Sequence, residues 1–306
     1  LPGGGQVKLR RAGHILGAAN AELHWGGKTI VFSGDIGRYG DPFMLDPEPV
    51  AAADYVLVES TYGDRTHPKN DPMEALGSVI EKTARRGGTV VIPAFAVGRA
   101  QLIMYYLWKL KQAGRIKIVP IFLDSPMAIN ATDLLCRHLD DHRLPPDVCK
   151  QSCDIATYLR EVDDSKRITR DTMPKVVIAA SGMLTGGRVL HHLKAFGQDS
   201  RNTILFSGYQ AGGTRGEKLL NGAESVKMFG QWFPMRAEIA SLPALSAHAD
   251  SDEILKWLSG FKNAPARTFV VHGEPKASDA LRMRIEEELG WNSTVVDPTD
   301  RYSLES

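Results

Sequence analysis

The chain has 306 residues, with 37 Lys and Arg against 36 Asp and Glu and an apolar fraction of 43 %, a balance that excludes a disordered tail, a fibrous repeat or a small disulfide scaffold. Its length fits one large or two medium domains with a substantial core. A formal net charge of +1 excludes a uniformly basic nucleic-acid binder and leaves a local basic groove open. The three cysteines, Cys136, Cys149 and Cys153, lack the paired Cys/His spacing of a structural zinc site and read as reduced thiols. No run of about 18 apolar residues marks a membrane span, and Leu1-Pro2-Gly3-Gly4-Gly5 is not a secretory signal, so a cytoplasmic location is expected. The glycine-rich opening without an initiator Met gives the expectation of a fragment or a processed chain.

Along the chain, Glu22-Leu23-His24-Trp25 and Lys28-Thr29-Ile30-Val31-Phe32 flank Gly26-Gly27 and predict a hairpin. Tyr55-Val56-Leu57-Val58 is an apolar run ending on Glu59, the pattern of a buried strand that offers a carboxylate at its C-terminal end. Asp71, Pro72 and Glu74 signal a helix start ahead of Leu76, Val79, Ile80, Thr83 and Ala84, and Gly87-Gly88 stops that helix. Thr89-Val90-Val91-Ile92 predicts a strand, Gln101 to Gln112 a helix and Ile116 to Phe122 another strand. The charge-rich stretch from Arg137 to Asp171 predicts peripheral helices and loops. Val176-Val177-Ile178-Ala179, Thr203-Ile204-Leu205-Phe206 and Thr268-Phe269-Val270-Val271 read as further central strands, and a last helix places Leu281, Ile285 and Leu289 on one face. This alternation predicts α/β layers. Trp108, Phe229, Trp232 and Phe233 read as packing residues, and Arg85-Arg86 and Lys166-Arg167 as solvated faces.

Several polar residues fall in glycine-containing turns where apolar strands stop: His14 after Gly13, Asp35 after Ser33-Gly34, Glu59 before Ser60-Thr61-Tyr62-Gly63, His248 after Ser246-Ala247, and His272 before Gly273-Glu274. Imidazoles and carboxylates on tight loops at strand ends suit a borderline metal such as zinc. Gly13-His14-Ile15-Leu16-Gly17-Ala18, Ser33-Gly34-Asp35, Glu59-Ser60-Thr61-Tyr62-Gly63, Ser246-Ala247-His248 and Val271-His272-Gly273-Glu274 resemble, in order, successive motifs of the β-CASP branch of the metallo-β-lactamase fold. That group contains the endonuclease of the polyadenylation machinery and bacterial and archaeal RNA-processing ribonucleases. Pro93 to Arg99, Leu123 to Met127, Ala180 to Leu184 and Gly208-Tyr209-Gln210 are similar to its intervening segments, so the resemblance covers nearly the whole chain.

The resemblance implies an α/β fold: a partial metallo-β-lactamase αββα domain with an inserted β-CASP α/β cap. Residues 1–63 would form the second part of the metallo-β-lactamase domain, 64–245 the inserted domain and 246–306 the return segment. It implies zinc as cofactor, two ions in the complete protein, with His14 on the first, His272 on the second and Asp35 bridging both. Asp35 would thereby share in catalysis, His248 would protonate the leaving oxygen or stabilise the transition state, and Glu59 would orient His248. RNA would follow the cleft between the domains, with phosphate contacts from Arg99, Ser181, Gly182, Gln210, Thr214 and Arg215. The small side chains of Gly208 to Gly216 also suit a phosphate cradle, or a simple turn. Tyr209 is a candidate for base stacking or for burial.

One feature departs from the family pattern. The His-x-His-x-Asp-His signature, which supplies two ligands to each zinc, is absent from this sequence, and the pair His191-His192 lacks the carboxylate spacing and reads as structural. With about two protein ligands per zinc, partial or no occupancy is expected of this chain alone. A half-sandwich would also expose an apolar sheet face for a second copy or another chain to cover. The function expected of the complete protein is zinc-dependent cleavage of RNA phosphodiester bonds, as an endoribonuclease with exonuclease action left open. The chain alone is then an inactive or partial form. A non-catalytic RNA-binding or scaffold subunit and a hydrolase of another ester or lactam are the alternatives. RNA is the expected partner and a membrane is not.

Overall fold

The structure, a computed structural model, describes residues 1–297 and 299–304. The chain forms two compact units, residues 1–67 with 247–306, and residues 68–246. The first begins with strands β1 (Gln6–Arg11), β2 (Ala19–Trp25) and β3 (Lys28–Phe32), an antiparallel meander whose second turn is Gly26-Gly27 with φ of 57° and 77°. Two residues with positive φ match the twist of the flanking strands, which is why the Gly-Gly pair sits there. β4 (Tyr55–Glu59) then pairs parallel to β3, Phe32 opposite Leu57.

The second unit alternates helices with short buried strands. α1 (Pro72–Arg85) is capped by the Asp71 carboxylate, which accepts the Met73 N–H, and buries Leu76, Ile80 and Thr83. It is followed by β5 (Val90–Pro93), α2 (Arg99–Gln112), β6 (Ile121–Leu123), α3 (Pro126–Leu135), α4 (Pro146–Cys153), β7 (Thr157–Tyr158), α5 (Val162–Arg170) and β8 (Val176–Ala179). The chain continues through α6 (Val189–Phe196), β9 (Thr203–Phe206), α7 (Arg215–Leu220), a hairpin of β10 (Ser225–Met228) and β11 (Gln231–Pro234), and β12 (Glu238–Ser241). Six strands form an all-parallel sheet in the order β12-β9-β5-β8-β6-β7. β5, β8 and β9 are buried at every position, as strands with both faces covered must be, and for that reason they read as unbroken apolar runs.

The strand expected over Ile116 to Phe122 is shorter than the sequence implies. Ile116 and Val119 close a turn, Ile118 is exposed at its tip, and Pro120, which has no N–H to donate, precedes the strand. The packing role expected of Phe229 and Trp232 is also corrected, because both are exposed and only Phe233 is buried. Phe229 forms the hairpin turn with Gly230, and Trp232 pairs with Lys227 on the strand face opposite Val226 and Phe233. Trp108 is half-buried.

The chain returns to the first unit with α8 (Ser251–Leu258), opened by a capping box between Asp250 and Glu253. β13 (Arg267–Val271) lies parallel to β4, α9 (Pro275–Arg284) widens into a π-helical turn over Ile285–Leu289, and β14 (Ser293–Val295) closes the sheet β1-β2-β3-β4-β13-β14. One face of this sheet packs Val31, Val56, Val58 and Val270 against Ile254, Trp257, Leu258, Leu281 and Ile285. Leu281 and Ile285 share a buried face as expected, while Leu289 is half-buried beyond the widened turn. The opposite face carries the alternate residues Val7, Leu9, Leu23, Ile30, Phe32 and Leu57, of which Leu9 is 67 % exposed and Phe32 39 %. Among the described residues no helix is long and apolar enough to cross a membrane.

Candidate metal centre

The first unit gathers its titratable residues at the carboxyl ends of its parallel strands. β4 and β13 run in register with Val271 opposite Glu59, so Glu59 and the following His272 leave the sheet side by side. His272 has a φ of 54°, a left-handed conformation that turns the chain sharply before Gly273. The other residues arrive on loops tied by two isolated backbone bridges, Gly13 to Ile36 and Gly37 to His248. A Cβ on Gly37 would fall 2.0 Å from the Gly13 carbonyl oxygen, so only glycine lets the two backbones cross there. This crossing brings together the loops of His14, Asp35 and His248.

Asp35 faces two imidazoles with different oxygens: Oδ2 lies 3.8 Å from His14 Nε2, and Oδ1 lies 3.2 Å from His272 Nδ1. His248 Nδ1 lies 3.1 Å from Glu59 Oε2 and 3.4 Å from Oε1. The His14 and His248 rings are 4.3 Å apart at their centroids. Donor atoms of His14, Asp35 and His248 lie within 4.8 Å of one another, as do those of Asp35, Glu59 and His272.

Burial, reinforced by repulsion from His248, lowers the His14 pKa to about 4 and leaves its imidazole neutral at pH 7, the state in which it can ligate. Burial alone would push the Glu59 carboxyl upward, but its hydrogen bond to His248, that ring's charge and the Ile36 N–H outweigh the effect and hold it below the ordinary carboxylate range. Glu59 is 1 % exposed and therefore meets His248 as a fixed, dry acceptor. Imidazoles converging on a two-sided carboxylate fit a borderline cation, with His14, Asp35 and His272 as its holders.

The sequence-based candidates for phosphate contact lie in the second unit, at the carboxyl ends of β5, β8 and β9. Arg99, the first residue of α2, is 7 % exposed and donates from Nη1 to the Ser207 carbonyl at 2.8 Å. Ser181 Oγ lies 3.0 Å from Thr185 Oγ1 and accepts the Thr185 N–H, and the Gly182 carbonyl accepts from Gln210 Nε2 at 3.1 Å. Thr214 caps α7 and donates to the Ala211 carbonyl at 2.7 Å. Arg215 donates to the carbonyls of Lys227 at 2.7 Å and Leu184 at 2.9 Å. Tyr209 is half-buried. His192 is fully buried with Nε2 2.6 Å from Asp124 Oδ2, in keeping with its structural reading.

Residues that the sequence did not single out support the centre. Thr61 Oγ1 lies 3.3 Å from His272 Nδ1. His67 Nε2 lies 2.9 Å from the His248 carbonyl oxygen, while the His67 N–H donates to Asp250 Oδ2 at 2.7 Å. The only signal for His67 was its place just beyond Tyr62-Gly63-Asp64, in a segment without periodicity.

Comparison with known proteins agrees with this architecture. The Beta-Casp domain family matches residues 100–219, and the family described as the Zn-dependent metallo-hydrolase RNA specificity domain matches residues 232–296. A ribonuclease of Thermus thermophilus is 38 % identical over 279 residues, covering 89 % of this chain and 63 % of the relative. An RNase J-like protein of Methanocaldococcus jannaschii is 31 % identical over 291 residues, covering 93 % and 67 %. A transcription termination factor of Methanosarcina mazei is 32 % identical over 305 residues, covering 93 % and 47 %. The chain belongs to the β-CASP family of the metallo-β-lactamase fold. It spans 63 % of the ribonuclease and about half of the termination factor.

Proposed function

We propose that the complete protein hydrolyses RNA phosphodiester bonds with zinc, and that this chain supplies part of its metal centre and its general acid. The observation that carries the reading is the His248–Glu59 pair, 3.1 Å apart, beside the donor atoms of His14 and Asp35. His14, Asp35 and His272 would hold the metal, the two oxygens of Asp35 being turned toward different imidazoles. Bound zinc supplies charge neutralisation at the phosphoryl group and eases ionisation of water near neutral pH. Glu59 accepts from His248 Nδ1 and so fixes the tautomer and ring orientation, leaving Nε2 to carry the proton given to the leaving oxygen. Thr61 and His67 hold His272 and the His248 backbone in place.

RNA as substrate is supported by the RNA specificity domain match and by relatives named as ribonucleases. The test uses the complete polypeptide with its zinc content measured alongside cleavage of an end-labelled RNA. His248→Ala should keep zinc and lose cleavage by about 10²–10⁴-fold, the range of a general acid. Cleavage that survives His248→Ala at full rate would refute the assignment. A zinc-loaded, intact protein that leaves RNA whole and hydrolyses a small ester would refute RNA as substrate.

A further inference from the structure

Apart from the metal centre, three thiols meet where two helices of the second unit approach. Cys136 is the C-terminal cap of α3, and Cys149 and Cys153 lie four residues apart on one face of α4. Cys136 Sγ is 3.2 Å from Cys153 Sγ and 3.6 Å from Cys149 Sγ, and all three sulfurs lie within 4.8 Å of one another. Cys149 and Cys153 are buried, Cys136 is half-buried, and all three are free. His142 Nε2 lies 3.8 Å from Cys149 Sγ and 3.2 Å from the Leu135 carbonyl oxygen. His142 Nδ1 accepts the Leu144 N–H at 3.1 Å, which places the ring proton on Nε2, shared between the Leu135 carbonyl and the Cys149 sulfur.

These spacings suit shared coordination better than a covalent link. A disulfide brings two sulfurs to about 2.05 Å and strands the third thiol, whereas tetrahedral zinc with bonds of about 2.3 Å spaces its sulfurs about 3.8 Å apart. We propose that Cys136, Cys149 and Cys153 hold a thiophilic divalent cation, zinc in the first instance, as three thiolate ligands, with His142 Nε2–H hydrogen-bonded to the Cys149 sulfur. The half-buried side of Cys136 leaves the fourth position to water. Bound there, the cation ties the end of α3 to α4 across the intervening loop, a structural role separate from the His/Asp centre of the first unit.

The two sites differ in spectroscopy as well as in residues, because only thiolates give sulfur-to-cobalt charge-transfer absorption. Protein stripped with a chelator under reducing conditions is titrated with cobalt(II), then with zinc. The expected result is charge-transfer absorption that saturates with a single cobalt per chain and is abolished by zinc. Cys136→Ser, Cys149→Ser and Cys153→Ser each remove it, while His14→Ala and Asp35→Ala retain it. Zinc should raise the melting temperature of stripped Asp35→Ala but not of the double variant Asp35→Ala with Cys149→Ser, and His142→Ala should weaken cobalt binding about tenfold, in line with the loss of a supporting partner. The unmodified protein provides the decisive reading even where a serine variant fails to fold. Absence of charge-transfer absorption in it, its persistence in all three serine variants, or a disulfide between two of these cysteines in protein isolated without reductant would each overturn the proposal.

Discussion

Both units collect polar residues at the carboxyl ends of parallel strands, yet the two collections are chemically opposite. In the second unit the side chains of Arg99, Gln210, Thr214 and Arg215 donate to main-chain carbonyls and stitch neighbouring loops together. In the first unit His14, Asp35, Glu59, His248 and His272 crowd acceptor and ligand atoms into one place, with few backbone donors to absorb them. Donors tied to carbonyls stabilise the loops they join, even with Arg99 Nε and Gln210 Oε1 buried and making no hydrogen bond, whereas convergent ligand atoms are costly until a cation arrives. Strand-end position therefore marks where a site can be, and which partners its side chains meet sets what each place can do.

The contrast predicts opposite outcomes for substitutions in the two places. Asp35→Ala should cause the largest loss of function, reducing RNA cleavage by the complete protein at least about 10³-fold together with its zinc content, with metal-free stability changed by less than about 1 kcal/mol. Elemental analysis beside denaturant melts separates these effects, and an Asp35→Ala protein that is badly destabilised without metal would break the comparison. Arg99→Ala should do the reverse. It would cost about 2–4 kcal/mol in denaturant unfolding, because the Ser207 carbonyl is left without its buried donor, while zinc content stays unchanged. Glu59→Gln falls between the two, retaining the fold and zinc and slowing cleavage about 10–100-fold through a misoriented His248, as single-turnover kinetics would show.

The two faces of the first sheet sharpen the same point on a smaller scale. Val56→Asp on the covered face should unfold the unit or cost more than about 4 kcal/mol, since the charge has no partner there. Leu9→Lys on the open face should move stability by no more than about 0.5 kcal/mol in denaturant unfolding.

What the sequence made legible follows from the same physics. β4, β5, β8, β9 and β13 are buried strands, so continuous apolar runs announced them. β12 escaped notice because its four residues begin with Glu238 and end with Ser241, and β10 with β11 because their turn uses Phe229-Gly230 rather than a common hairpin pair. His14 and Asp35 were visible because each follows a glycine, Glu59 and His272 because each ends an apolar run, and His248 only through its motif with Ser246-Ala247. His67 was invisible because its task is to hold a carbonyl of a distant residue, which leaves no local pattern. The cysteine trio was missed because Cys136 belongs to a different helix from Cys149 and Cys153, so their convergence is purely tertiary.

The parallel register of β4 and β13 has a consequence for how this fold tolerates sequence change. With Val271 opposite Glu59, the strand pair works as a ruler that delivers a carboxylate and an imidazole to the same height. Deleting one residue inside β13 would turn every later side chain of that strand to the opposite face and draw His272 about 3.3 Å back along the sheet. Residue swaps within these strands are then far easier to accommodate than changes in their length, and the spacing from strand start to site residue is the quantity under constraint.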